Sequence, residues 1–262
     1  MKIEEKDANL DVKAFDNQHQ RKTQDIHPNL PYPPFSMMMI GSLGTGKSTL
    51  ITRLIYGNRK PKKAKNNHHK FYRHFFDKIY VFSPSWGLDP KCARCQIPDD
   101  QIFSEAELYD DVISEIVSQQ RESIEENGKD DTEHVLMIFS DCAGKKNVFS
   151  NAKGVMMTLA FNLRHYKIST IIDTQSLRQI NNAFRENMMG VFIFGGITNR
   201  LELKKIYDEY LGSLKKEEAD KLLEYVFHDN KFNFLYLNLK NAIATRYHKN
   251  FNQLRLTDVA SF

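Results

Sequence analysis

The segment Gly41-Ser42-Leu43-Gly44-Thr45-Gly46-Lys47-Ser48 fits the pattern G-x-x-x-x-G-K-[ST], and each position in it has a physical reason. Glycines let the chain wrap closely around an anion, and successive backbone N–H groups and a helix N-terminus then face that anion. Lys47 brings a cation to the β- and γ-phosphates of a nucleotide, and the Ser48 hydroxyl reaches its Mg²⁺. Thr49 completes the expected nucleotide-contacting run. An apolar run at 35–40 precedes the loop and a helix-forming run at 48–56 follows it. That is the strand–loop–helix context the pattern requires.

Such a loop works with an acid at the end of a neighbouring strand, which holds Mg²⁺ through its water shell. The run 135–139 reads as a buried strand, and Asp141 lies just past its C-terminal end. The next apolar run, 168–172, leads into Asp173-Thr174-Gln175. By analogy with the water-positioning glutamine of other NTPases, Gln175 is placed to sense a γ-phosphate or orient the attacking water. A Thr-Gln pair says little alone; its order after the two preceding motifs gives it meaning. Open α/β sheets bind ligands at the carboxyl ends of their strands, where all three features fall.

These groups need a scaffold. Short runs rich in Val, Ile, Phe and Tyr recur at 35–40, 78–82, 134–139, 168–172, 191–194 and 232–239. Between them lie helical patterns at 48–56, 104–119, 152–165, 198–210 and 215–227. Alternating strands and helices predict an α/β fold with a mostly parallel central sheet flanked by helices. Residues 1–34 are polar and end in a Pro-rich stretch, so they read as an N-terminal arm leading into a domain over 35–262. A polar loop, largely acidic, is expected at 121–133.

With 262 residues, 41% hydrophobic and 27% charged, the composition is that of a globular domain. No apolar run approaches the ~20 residues of a membrane helix, and the first ten residues lack an apolar core, so neither a membrane span nor a signal peptide is expected. Three cysteines argue against a disulfide framework and for a reducing compartment. The net charge of +4 permits nucleic-acid contact without demanding it.

In combination, the motifs resemble those of the viral DNA-packaging ATPases of poxviruses, giant viruses and virophages, within the FtsK–HerA branch of P-loop ATPases. GSLGTGKSTLI is similar to that family's phosphate loop, FDKIYVFSPS to its second strand, VLMIFSDCAG to its acid-bearing strand, LRHYKISTIIDTQ to its Arg-His segment and sensor strand, and NNAFRENM to a segment bearing a family arginine. The resemblance spans roughly 35–240. It implies a P-loop NTPase of the additional-strand type, with ATP and Mg²⁺ as cofactors. It further implies a homo-oligomeric ring that moves double-stranded DNA into a capsid, in contact with capsid or other virion proteins. The expected location is the virion and the host cytoplasm, at sites of viral assembly. A neighbouring subunit would supply an arginine to each nucleotide, with Arg185 as first candidate and Arg164 as second.

One departure concerns the acid strand, where the family has two consecutive acids before Cys-Ala and this chain has Ser140-Asp141. In that register Ser140 takes the Mg²⁺-associated position and Asp141 the catalytic base, and Ser140→Asp would restore the acid pair. Alternatively, Asp141 serves the metal directly. The substitution leaves open an ATP-binding assembly protein with weak or no hydrolysis. A P-loop small-molecule or nucleoside kinase shares the phosphate loop. Cys92 and Cys95 form a lone C-x-x-C that reads as two free thiols; zinc would need His68 and His69 as well. Basic residues at 59–73, and Lys145, Lys146 and Lys153 after the acid strand, are alternative DNA contacts or solvated loops.

Overall fold

The computed structural model describes residues 26–56, 71–142, 149 and 154–256. In chain order its elements are β1 (Ser36–Ile40), α1 (Lys47–Tyr56), β2 (Lys78–Phe82), β3 (Ile102–Phe103), α2 (Tyr109–Asn127), β4 (Val135–Phe139), α3 (Val155–Tyr166), β5 (Ile168–Thr174), α4 (Asn182–Glu186), β6 (Gly190–Phe194), α5 (Arg200–Ile206), α6 (Lys216–Phe227), β7 (Phe234–Asn238), β8 (Tyr247–Lys249) and β9 (Asn252–Gln253). Among the described residues they form one sheet of nine strands in the order β3-β2-β4-β5-β1-β6-β7-β8-β9. From β3 through β6 the pairings are parallel, and from β6 to β9 they are antiparallel.

The central strands are continuous apolar runs because both faces of the sheet are covered, as in parallel sheets generally. Side chains alternate between two cores, as the pleat dictates. Met37 and Met39 of β1, Leu136 and Ile138 of β4, and Ile171 of β5 pack with Leu50, Ile51 and Leu54 of α1 and with Tyr72, Phe75 and Trp86. Met38, Ile40, Met137, Phe139 and Ile172 turn to the other face and meet α2, α3 and α6 through Ile113, Leu159 and Leu222.

β5 lies between the phosphate-loop strand β1 and the acid strand β4. This intervening strand is the arrangement of an additional-strand P-loop NTPase. The chain leaves β1 for β2 on one side of it and later adds β6 on the other. The carboxyl end of β1 is therefore a topological switch point, where such sheets open a crevice.

One expectation needs correction. The helix expected over 104–119 begins later, after a 3₁₀ turn at Ala106–Leu108, and runs through Asn127 into the segment read as a loop. Glutamates, Arg121 and Ile124 are adequate helix formers there. The buried Gln120 amide pins the helix by donating to the carbonyls of Glu133 (3.0 Å) and Tyr166 (2.9 Å), and Gly128, at φ +80°, ends it. The arm expected before the domain is described only in its last part. That part, 26–34, is docked onto the domain: Tyr72 Oη donates to the Pro31 carbonyl (2.7 Å), Tyr236 Oη to that of Asn29 (2.8 Å), and Leu30 is buried.

Candidate functional site

A cavity of about 940 Å³ opens at the carboxyl end of β1. The phosphate loop with Lys47, Ser48 and Thr49 forms one wall, Ser83, Trp86 and Lys91 a second, Ser140 and Asp141 the floor, and Phe194 and Phe232 the remaining side. The loop is shaped by its glycines. Gly46 sits at φ +106°, a conformation L side chains rarely adopt, and a Cβ on Gly41 would lie 2.6 Å from Phe194 Cβ. Thr45 Oγ1 donates to the Ser42 carbonyl (2.8 Å), and Ser42 Oγ to the Gly196 carbonyl beyond β6 (2.7 Å), tying the loop to itself and to the next strand.

Lys47 is buried, and its Nζ donates to the carbonyls of Gly41 (2.8 Å) and Ser42 (3.1 Å) within its own loop. The ammonium thus sits over the space that the loop encloses. Lys47 is also the first residue of α1, so the unsatisfied N–H groups of the helix start point the same way. Ser48 follows it with its hydroxyl on the cavity. Thr49 Oγ1 accepts from Lys91 Nζ at 3.3 Å, which brings a second cation onto the rim.

The floor is assembled across two strands. Phe139 pairs with Ile172, so Ser140 comes to lie beside Asp173. Ser140 Oγ donates to Asp173 Oδ2 (2.8 Å), and the Asp141 backbone N–H donates to Asp173 Oδ1 (3.0 Å). Asp141 makes this possible by taking φ +54°, a left-handed geometry that aspartate tolerates better than most residues. Its side chain remains exposed on the cavity. Asp173 is 1% exposed. Burial, aided by the Asp141 charge and opposed by its hydrogen bonds and by Lys47, pushes its carboxyl up to about 6. The sequence reading did not place Asp173 in the site. Its position at the end of an apolar run was visible, but its contact with Ser140 depends on strand order and register.

The other anticipated residues lie further off. Gln175 is exposed just past β5, at the same edge of the sheet but outside the cavity lining. The turn that follows it is fixed by the buried Glu202 of α5, which accepts from Ser176 Oγ (2.5 Å), the Leu177 N–H (2.8 Å) and Arg178 Nε (2.7 Å). Arg185, expected to reach a neighbour's nucleotide, is 3% exposed and occupied inside its own chain. It donates to both carboxylate oxygens of Glu209 (2.8 Å each), to the Leu177 carbonyl (2.8 Å), and to Ile180 O and Asn182 Oδ1. That consumes all five guanidinium N–H groups, so Arg185 braces the segment after β5. Arg164 is exposed at the end of α3 and lines a different cavity with Tyr32, His134, Lys167 and Lys240. These flank the amino ends of the parallel strands, the opposite edge from the phosphate loop.

Cys92 and Cys95 are free thiols on a short 3₁₀ turn. Burial pushes Cys92 up to about 12 and Cys95 to about 11, which leaves both protonated and unreactive near neutrality. No group of three metal-binding side chains occurs among the described residues, and His68 and His69 lie outside them. So do Lys145, Lys146, Lys153 and 59–70 of the basic stretch. Of its last three residues, Phe71 and Tyr72 are buried, and the exposed Arg73 lies over the Tyr56 ring at 5.3 Å. No helix of the described residues is long and apolar enough to cross a membrane.

The donors converging on the cavity fit a magnesium nucleotide. Ser48, Ser140 and Asp141 line the cavity with side-chain oxygens, the ligand type Mg²⁺ prefers, close to the cation and N–H groups that suit phosphates, and Asp173 lies buried behind Ser140.

No family model matches the chain. It is 28% identical over 194 residues to the uncharacterized protein 075L of Invertebrate iridescent virus 6, an alignment covering 71% of this chain and 63% of that protein. It is 26% identical over 182 residues to the uncharacterized protein 088R of Invertebrate iridescent virus 3, covering 67% and 59%. The chain thus spans about three fifths of the length of these relatives. Among solved structures it is similar to B204, the DNA-packaging ATPase of Sulfolobus turreted icosahedral virus, with TM-score 0.53, 14% identity, and coverage of 79% of this chain and 94% of that one. It is also similar to the genome-packaging NTPase B204 of Sulfolobus turreted icosahedral virus 2 in complex with ATP-gammaS, with TM-score 0.53, 12% identity, and coverage of 84% and 98%. At these identities the likeness is one of fold: the chain has the P-loop NTPase architecture seen in viral genome-packaging NTPases.

Proposed function

We propose that this chain is an ATP-driven motor that translocates double-stranded viral DNA into a capsid. The observation that carries the reading is the phosphate loop facing a floor of oxygen donors at the switch point of a packaging-NTPase fold. In this reading Lys47 and the start of α1 hold the β- and γ-phosphates, and Ser48 helps hold the metal. Mg²⁺, when bound, neutralises phosphate charge during transfer. Asp141, exposed on the cavity, takes a proton from the attacking water. Gln175, at the same edge, senses the γ-phosphate. The assembly is a homo-oligomeric ring working with capsid or other virion proteins, in the virion and at assembly sites in the host cytoplasm. Arg185 and Arg164 are not carried forward as its trans arginines, because one is consumed in its own chain and the other lies at the opposite sheet edge.

The test is an ATPase assay with and without double-stranded DNA, alongside a mass measurement of the assembly. Turnover stimulated by DNA in a multimer supports the motor. The uncharged Ser140 favours one rival, an ATP-binding assembly protein with weak hydrolysis; nucleotide binding without turnover would select it. A kinase would turn over as a monomer or dimer without DNA, and β5 between β1 and β4 speaks against it.

A further inference from the structure

The metal-associated position at the end of β4 holds Ser140, which has no charge, while the neighbouring strand holds a buried carboxylate that the phosphate-loop pattern does not call for. Asp173 is 1% exposed, and its hydrogen-bond donors are a hydroxyl and a backbone amide. Among the described residues no lysine or arginine forms an ion pair with it; Lys47 acts on it only at longer range. Aspartate is almost never this buried without a cationic partner. Its position narrows what the partner is. Asp173 pairs in register with Met39 of β1, so it stands one strand nearer the phosphate loop than Ser140 does.

Resting on the nucleotide reading above, we propose that Asp173 supplies the negative charge for the Mg²⁺ of the bound nucleotide, acting through Ser140: the acid has moved from β4 to the adjacent strand β5. The Ser140 hydroxyl donates a 2.8 Å hydrogen bond to Asp173 Oδ2, which leaves its lone pairs for a donor in the cavity that Ser140 lines. A water on the metal is such a donor. The pair Ser140–Asp173 then does in two residues what one carboxylate does at a strand end. Ser140→Asp alone, which the sequence reading expects to help, instead sets two carboxylates side by side, and it should weaken metal-dependent binding.

The experiment measures affinity for a fluorescent ATP analogue with Mg²⁺ and with EDTA. The proteins are wild type, Asp173→Asn and the charge-swapped double variant Ser140→Asp/Asp173→Ser, each first checked for a cooperative thermal transition. Wild type is expected to gain ten-fold or more from Mg²⁺. Asp173→Asn should keep the metal-free affinity and lose the gain, and the double variant should recover it. A full Mg²⁺ gain in Asp173→Asn overturns the proposal, as does a folded double variant without the gain. If Asp173→Asn does not fold, the double variant alone decides by the same criterion. Absence of nucleotide binding in wild type, with or without metal, would fail the functional reading itself and this proposal with it. Binding that never responds to Mg²⁺ would fail this proposal alone.

Discussion

The two walls that meet in the cavity are built in opposite ways. The phosphate loop is one uninterrupted segment: among the described residues the Lys47 ammonium bonds only to carbonyls of its own loop, and the core beneath it is held by Leu50, Ile51 and Leu54 of α1. The floor joins two strands, and its central group, Asp173, is at once a buried part of the sheet and a candidate for the chemistry. A change in the loop should therefore touch ligand and leave stability alone, whereas a change in the floor should move both. That separation is what mutagenesis ought to break or sharpen.

Lys47→Ala is the sharpest case. Removing a preorganised charge from the transferring phosphoryl should cost on the order of 10³-fold or more in turnover. Thermal unfolding should move little, because the lost hydrogen bonds are internal to a surface loop. A large drop in melting temperature would show that the loop is not the separable part it looks to be. Asp141→Asn comes next. Loss of a general base is expected to lower turnover by about 10²–10⁴-fold with nucleotide affinity kept, as read by single-turnover assay and titration. Loss of Mg²⁺-dependent binding before turnover would make Asp141 the metal residue instead.

Arg185 lies outside both walls and calibrates them. Arg185→Ala leaves Glu209 without its buried partner, which should cost about 3–5 kcal/mol of stability in denaturant titration. Arg178→Ala provides the contrast: its side chain is 51% exposed and its buried partner Glu202 keeps two other donors, Ser176 Oγ and the Leu177 N–H, so a smaller loss of about 1–3 kcal/mol is expected.

The last effect is the most diagnostic of the floor. The Asp173 carboxyl is raised from 3.8 to about 6 in the folded, metal-free protein, chiefly by burial. The folded state therefore holds this proton more tightly than the unfolded chain, and stability falls as pH rises from about 4 to about 6 and stays lower above that. Asp173→Asn removes the charge. In EDTA at pH 7–8 it should melt higher than wild type, by an amount on the order of 1–3 kcal/mol, and the difference should vanish near pH 4. An equal or lower melting temperature at pH 8 would mean that the sheet needs the carboxylate, and that the loop and floor differ less than their construction suggests.

The same difference decided what could be read before any coordinates. Everything contiguous was legible: the loop, the strands on either side of it, and Asp141 at the end of an apolar run. The helix boundary at Asn127 was not, because a buried glutamine, Gln120, extends the helix through contacts with distant carbonyls. Nor was the part of Arg185, whose partner Glu209 belongs to the one-turn π-helical segment Tyr207–Leu211 beyond α5. Asp173 escaped for the same reason: only the order β4-β5-β1 sets it beside Ser140 and one strand from the loop.

The central claim, that this cavity binds and hydrolyses a magnesium nucleotide, is tested most directly by steady-state ATP turnover of the purified wild-type chain beside Lys47→Ala, with Mg²⁺ and double-stranded DNA present. The account predicts turnover in wild type that is stimulated by DNA and absent in the variant. Equal turnover in the two proteins, or none in a wild type shown to be folded, would contradict it.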